Sequence, residues 1–400
     1  MSPLLKRASD SWKCYAKGSP PEMASSTTFD NISALTREYA SMGDYGQRLA
    51  TQAAAGNLPD VPAIWIDVLQ QYGTRGALAP LNPYVELGVI DTSEWDPLVR
   101  DHGMLDNSIY MLSSGVTVNC LIVNHDIIKR GGLEPPPFEI SWDDWATYVG
   151  SLQPALPANT WCSNDPGAIG ETISGWIQQR GYPLANEDWT NAGFPREVLV
   201  QLLEFAKERY DSGVILPIEI SSIPLSDYWV DAPLSRGQIA MMFINTNQLK
   251  TFQMYIDDEL WITRTPLMTD GVNPAGDYLR GSGLAIAANS KLADEAAKFI
   301  DFFLNDVDAQ RIFDMELGAI GPKHVQDALR DDLDPKDVTV LEHFNHILQD
   351  IPHREPNPPG GGSAVGAIQR ANESVRYGTS IEDAVDTAMA EIEEAFSVNL

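Results

Sequence analysis

Two periods of apolar residues interleave along most of the chain. From about Gly46 onward, stretches with apolar positions three and four apart alternate with short continuous apolar runs, the pattern of an α/β protein with mainly parallel sheets. Gly46–Ala55 predicts a helix, ended by Gly56 at a left-handed capping position with Pro59 beyond it. Val61–Ile66 predicts a buried strand, in which Pro62 is tolerable only among the first residues or on an edge. Val198, Leu199, Leu202, Leu203, Phe205, Ala206 and Tyr210 recur at helical spacing and stop at Gly213, and Ala296, Phe299, Ile300, Phe303 and Leu304 mark a second amphipathic helix. A last helix places Ile381, Val385, Ala388, Met389, Ile392 and Phe396 on one face, with Ser380 as N-cap and Asp383 three residues on, as a C-terminal brace.

Turn-rich breaks fall at Glu134–Phe138, Gln153–Pro157, Asp270–Gly276 and Pro352–Gly362, and no internal repeat is present. Met1–Ser33 differs from the rest: it is rich in Ser, Pro and Lys, with no long apolar run.

Length and charge narrow the class. Four hundred residues exceed what one core usually serves, so two domains are expected. Fifty-six acidic against 27 basic residues give a formal charge of −29, which repels nucleic acid and anionic membrane surfaces and predicts a well-solvated exterior. Cys14, Cys120 and Cys162 make neither a disulfide framework nor a zinc spacing. The strongest apolar runs, such as Ile239–Ile244, are far shorter than a membrane span. Met1–Arg7 lacks an apolar core, so the sequence as it stands shows no readable signal peptide.

Catalytic signatures are missing. No phosphate-binding P-loop, G-x-S-x-G elbow or H-E-x-x-H zinc motif occurs. Gly281 and Gly283 precede an apolar run instead of linking a strand to a helix, which excludes a dinucleotide fingerprint, and Gly360–Gly362 reads as a flexible turn. His343 and His346 lack a third ligand at a telling spacing and read as exposed helix residues. Acid pairs such as Asp143 with Asp144 or Asp257 with Asp258 are too common here to indicate glycoside chemistry. No catalytic residue, metal or cofactor is therefore expected. What remains is a set of aromatic and polar residues beside turns: Trp65, Asp67, Trp161, Trp176, Trp229 and Asn245. Indoles stack on the C–H faces of sugars while polar groups meet their hydroxyls, so the set suits a saccharide site; for any single tryptophan, core packing is the favoured reading.

Several strings, in order, carry a resemblance. Tyr45–Val61 (YGQRLATQAAAGNLPDV), Arg75–Tyr84 (RGALAPLNPY), the run from Ile109-Tyr110 through Thr117–Asn119 to Val123–Asp126, Ser141–Trp145 (SWDDW), Gly237–Met242 (GQIAMM), and Gly281–Ile286 with the Lys291–Phe303 helix resemble the family 1 extracellular solute-binding proteins of ABC transporters, of the sugar type that includes maltose-binding protein. The matches run from about Tyr39 to the C-terminus.

The resemblance implies a type II periplasmic-binding-protein-like fold, with two α/β lobes around a ligand cleft joined by crossing hinge strands. Placed on this chain, residues 1–113 (with 1–33 atypical) and the returning 267–317 would form lobe one, and 118–260 with the helical 322–400 lobe two. The crossings would fall near Leu112–Asn119, Trp261–Pro266 and Gly318–Pro322. It further implies a monomer that captures a small molecule, a saccharide first of all, by hinge closure and hands it to ABC permease subunits outside the cytoplasm, in the periplasm or at the cell envelope. Ligand contacts would come from Trp65 and Asp67, Thr117 and Asn119, Trp176, Trp229, Asn245 and Asn247, and Arg280, Gly281 and Ser282.

Family members open with an export signal and an apolar strand followed by a long helix, and Met1–Ser33 carries neither. A shifted reading frame or misplaced start, with the resemblance resuming near Glu38–Ser41, would account for this; so would a substitute strand at Trp12–Ala16. The competing functional readings are a glycoside-processing enzyme and a damaged relative with no working site.

Overall fold

A computed structural model describes Glu38 and residues 42–221, 228–352 and 357–397. The expectations for Met1–Ser33, for a strand at Trp12–Ala16, for Cys14 and for the restart at Tyr39–Ser41 lie outside the described residues. The described part contains ten strands: β1 (Ala63–Trp65), β2 (Leu78–Ala79), β3 (Met104–Leu105), β4 (Ser108–Ile109), β5 (Leu112–Asn124), β6 (Trp161–Ser163), β7 (Ile239–Asn245), β8 (Leu260–Arg264), β9 (Leu279–Leu284) and β10 (Ile286–Ala287). The chain divides into two compact units, one comprising the residues up to Val116 with Gly281–Asp334, the other Thr117–Arg280 with Pro335–Leu400.

In the first unit, the Met42–Ala54 helix ends where Gly56 enters the left-handed region (φ 63°) and Asn57 N–H reaches back to Gln52 O at 2.8 Å. A side chain at Gly56 would strain that turn, which is why the helix stops there. The expected strand is shorter than its apolar run: after Ala63–Trp65, Ile66 already opens a helix that runs to Thr74. β1 runs antiparallel to β9, with Ile64 opposite Gly283 and Trp65 opposite Ser282, and β2 pairs with β10. Leu49, Ile64, Leu69, Tyr72, Met111 and Ala285 close the core over these strands. The Ala293–Asn305 helix buries Phe299, Ile300 and Phe303 at the spacing read from the sequence.

β9 lies beside β5 at very short range. A Cβ on Gly281 would sit 2.3 Å from Gly115 O, and one on Gly283 would sit 2.2 Å from Leu112 O. These two glycines serve close strand approach, and Gly281 also holds φ 131°.

In the second unit, the Cys120–Asn124 half of β5 is flanked on one side by β7 and on the other by β8, both antiparallel. β6 adds to β7 in parallel. The expectation of mainly parallel sheets is therefore corrected: β1–β9, β2–β10, β3–β4, β5–β7 and β5–β8 are antiparallel, and β6–β7 is parallel, with single parallel bridges at Ser141–Leu267 and Ser163–Ile215. Helix–strand alternation records how often the chain changes element, and it does not record the direction in which each strand re-enters the sheet. The Trp261–Pro266 segment lies in this unit, its strand β8 paired along β5, and the chain passes to the first unit at Arg280–Gly281 and returns at Asp334–Pro335.

Trp142, Trp145, Trp176, Phe205 and Phe243 form the aromatic centre of this unit's core, with Trp142 and Trp145 edge-on at 5.9 Å. The Arg196–Asp211 helix and the two C-terminal helices, Gly361–Arg376 and Ile381–Ser397, pack over it. Ser380 Oγ accepts from Asp383 N–H at 3.1 Å and donates to the Asp383 carboxylate at 2.6 Å, so the N-cap forms as the sequence predicts.

Two further expectations change. Gly360–Gly362 is the start of a helix: Gly360 takes φ 88° at the N-cap and the next two glycines occupy the first turn. His343 is buried, since it shares the inner face of the Pro335–Ile347 helix with Val340, Phe344 and Ile347, while His346 is exposed. Among the described residues no helix is long and apolar enough to cross a membrane, and no three His, Cys, Asp or Glu side chains gather as a metal site.

Candidate functional site

In the second unit two of the residues read from the sequence meet at one that was missed. Glu171 stands in the first turn of the Gly170–Gln179 helix. Its Oε1 receives Arg280 Nη1 at 3.2 Å and a long contact from Asn245 Nδ2 at 3.4 Å. Asn245 ends β7, where the chain turns through the 3-10 segment Thr246–Gln248, and Arg280 ends its passage through this unit on β9. Two acceptors on this turn, Asn245 Oδ1 and Gln248 Oε1, are shielded from solvent and have no hydrogen-bond partner among the described residues. Asn247 is half-buried on the same turn, and Thr246 Oγ1 fixes the turn by accepting from Val118 N–H at 3.2 Å.

Beside this polar group lie aromatic rings. Trp229 is half-buried and edge-on to Tyr228 at 5.1 Å and to the fully buried Phe252 at 5.2 Å. Burial together with the Glu171 carboxylate pushes the Tyr228 phenol up to about 12, so it remains a neutral donor. Ser235 Oγ donates to Trp229 O at 2.6 Å and holds the short Tyr228–Asp231 helix in place. The second unit thus offers exposed aromatic surface next to acceptor-rich polar groups and a balanced ion pair.

The other expected residues fall elsewhere. In the first unit, Trp65 is half-buried, edge-on to Tyr45 at 5.3 Å, and opposite the buried Ser282 in the ladder. Tyr45 Oη braces that strand by donating to Ala63 O at 3.0 Å and accepting from Ala63 N–H at 3.1 Å. Asp67 is exposed in the helical turn that follows, and Gly281 is placed by its close approach to Gly115.

Three expected residues are engaged by the interior of the second unit. Trp176 is 4% exposed, donates to Val198 O, and carries Arg180 over its ring face at 3.9 Å. Asn119 donates to Thr265 Oγ1 and Gly276 O, both at 3.0 Å, and accepts from Tyr278 N–H at 3.1 Å, which uses up its amide. Thr117 is buried on β5. Glu171, Tyr228 and Gln248 were not singled out by sequence. Tyr228 had a signal, its neighbour Trp229; Glu171 had none among 56 acidic residues.

Residues 28–328 match the family model of the bacterial extracellular solute-binding proteins. Solved structures agree in fold. An ABC substrate-binding protein of Listeria monocytogenes in complex with cycloalternan is 22% identical, with a TM-score of 0.72 and 90% of each chain covered. A periplasmic oligogalacturonide-binding protein of Yersinia enterocolitica is 18% identical, with a TM-score of 0.76, covering 90% of this chain and 91% of that one. The sugar-binding protein MalE of Xanthomonas citri is 18% identical at a TM-score of 0.73, covering 89% of this chain and 88% of that one. The fold is that of the type II periplasmic solute-binding proteins, and the chain belongs to the bacterial extracellular solute-binding protein family.

Proposed function

We propose that this protein is the solute-capturing component of an ABC importer, that its ligand is a mono- or oligosaccharide, and that it works as a monomer outside the cytoplasmic membrane. It binds without covalent chemistry and hands its ligand to the permease. The observation that carries the reading is the group formed by Glu171, Asn245 and Gln248 beside Tyr228 and Trp229. Unpartnered buried acceptors cost about 1–3 kcal/mol each until a donor meets them, and sugar hydroxyls are such donors. An adjacent aromatic face accepts the C–H side of the same ring. Bending at the three chain passages, Val116–Thr117, Arg280–Gly281 and Asp334–Pro335, would couple capture to a change of state that a permease recognises. The solute-binding proteins of similar fold named above include ones in complex with cycloalternan and digalacturonic acid, which supports a saccharide.

Thermal unfolding of the purified chain against a panel of mono- and oligosaccharides tests this. A ligand at about a hundred times its Kd adds roughly 2.7 kcal/mol to the native state. A saturable rise with one saccharide class is expected; a sharp transition that no saccharide moves overturns the reading.

A further inference from the structure

The chemistry of the Glu171 group selects among saccharides, and we infer that it admits neutral, hydroxyl-rich rings and turns away rings that carry a carboxylate. The inference rests on the saccharide reading above and concerns the same residues. Its basis is the imbalance of donors and acceptors. The donors closest to Glu171 are already engaged: Arg280 Nη1 at 3.2 Å and Asn245 Nδ2 at 3.4 Å both point at Oε1. Two acceptors are left over, Asn245 Oδ1 and Gln248 Oε1, neither of which meets a donor among the described residues. A hydroxyl donates as well as accepts and satisfies such atoms; a carboxylate in the same place has no hydrogen to give and leaves them unsatisfied.

Charge points the same way. Arg280 and Glu171 neutralise each other, with both side chains about one-fifth exposed. A uronate that took Arg280 for itself would leave Glu171 half-buried without its cation and beside a second anion, a juxtaposition that costs more than the new contact returns. The Tyr228 phenol, held neutral near Glu171, supplies one more donor for a ring oxygen and no positive charge. The rest of the chain, at a formal −29, does nothing to attract an acidic sugar.

Isothermal titration of the full chain with matched neutral and acidic oligosaccharides decides the matter. Suitable neutral probes are maltotriose, cellobiose, xylotriose and galactobiose, with digalacturonate and cellobiouronate as the acidic ones. The expected result is a neutral probe that binds at least 100-fold more tightly than any uronate. Glu171→Gln should narrow that gap at least tenfold, and raising the salt from 20 to 500 mM should narrow it in the unaltered protein, which covers a variant that fails to fold. Uronate binding as tight as that of the neutral probes, or a gap that responds to neither change, overturns the selectivity while leaving the saccharide reading in place. Binding of no probe of either class overturns the saccharide reading itself, and the selectivity with it.

Discussion

Arg264 Nε donates to Asp277 Oδ2 across 2.6 Å, and neither side chain is exposed to solvent at all. Arg264 Nη1 continues outward to Glu139 at 2.9 Å and Asp350 at 2.8 Å, and Asp277 Oδ1 accepts from Thr265 N–H at 3.1 Å. Burial alone would disfavour the guanidinium charge, but the carboxylates of Asp277, Asp350 and Glu139 outweigh it and raise the Arg264 pKa. One buried pair thereby ties β8 to the segment that leads toward Arg280, next to the three-bond Asn119 knot.

Breaking that pair from one side leaves a charge stranded in the interior. Asp277→Ala should destabilise the protein by about 3–5 kcal/mol in urea-induced unfolding. The double replacement Arg264→Met with Asp277→Leu should recover most of the loss, because an apolar pair of similar volume avoids both desolvation costs. If the double variant proves as unstable as the single one, the pair contributes more than compensation of its own burial.

His343 is buried without a hydrogen-bond partner on either ring nitrogen among the described residues, edge-on to Phe138 at 5.2 Å. Burial foremost, then the charges of Arg264 and His346, push it down to about 3, against an ordinary value of 6.5. The folded state therefore holds the neutral ring, and stability from this group is complete above pH 6.5. It falls as the pH drops from 6.5 toward 3, where the unfolded chain takes up the proton, by at most about 1.4 kcal/mol per pH unit. His343→Leu should raise the midpoint of thermal unfolding at every pH, and by more at pH 4.5 than at pH 7.5. An equal gain at both would mean that the ring is protonated in place.

The two tryptophans Trp176 and Trp229 show how far the residues alone could be read. Both count as ligand contacts by the resemblance, but Ile173, Trp176 and Ile177 stand at i, i+3 and i+4 on one buried helix face, a local period which that assignment passes over, and the structure buries Trp176 among Trp142 and Phe205. The Arg196–Asp211 helix and the Ser380 cap were legible because their signals are local, a period and a side chain three residues from its partner. Strand direction in β5, β7 and β8 was not, because it depends on where a chain returns after more than a hundred residues. His343 was misread because a polar residue on an apolar helix face looks like an exposed one until its neighbours are known. Glu171 was invisible, since only the fold brings it to Asn245 and Arg280, more than seventy residues away in sequence.

Burial also separates the consequences of removing each indole. Trp176→Ala should cost about 3–5 kcal/mol of stability by opening a core cavity, with saccharide affinity per folded molecule little changed. Trp229→Ala should leave unfolding nearly unmoved and weaken saccharide binding about tenfold or more, as loss of a central aromatic contact does. Titration of both variants alongside their urea midpoints checks the division; the opposite pattern would move the ligand to the Trp176 side of the unit.

The glycines at the tight approach of β9 to β5 make a contrasting pair with one at the start of a helix. A methyl group on Gly283 would lie 2.2 Å from Leu112 O, and one on Gly281 would lie 2.3 Å from Gly115 O at a φ that side chains avoid. Gly281→Ala should therefore destabilise the protein by about 2 kcal/mol or more, through backbone strain and forced separation of the strands. Gly362, in the first turn of the Gly361–Arg376 helix, has open space where a methyl group would stand, with no atom within 4 Å, and carries no positive φ. Gly362→Ala should add about 0.5–1 kcal/mol by lowering the freedom of the unfolded chain. Urea midpoints of the two variants should thus move in opposite directions. A stable Gly281→Ala protein would mean that β9 can retreat from β5 at little cost, and that Gly281 owes its place to something other than strand approach.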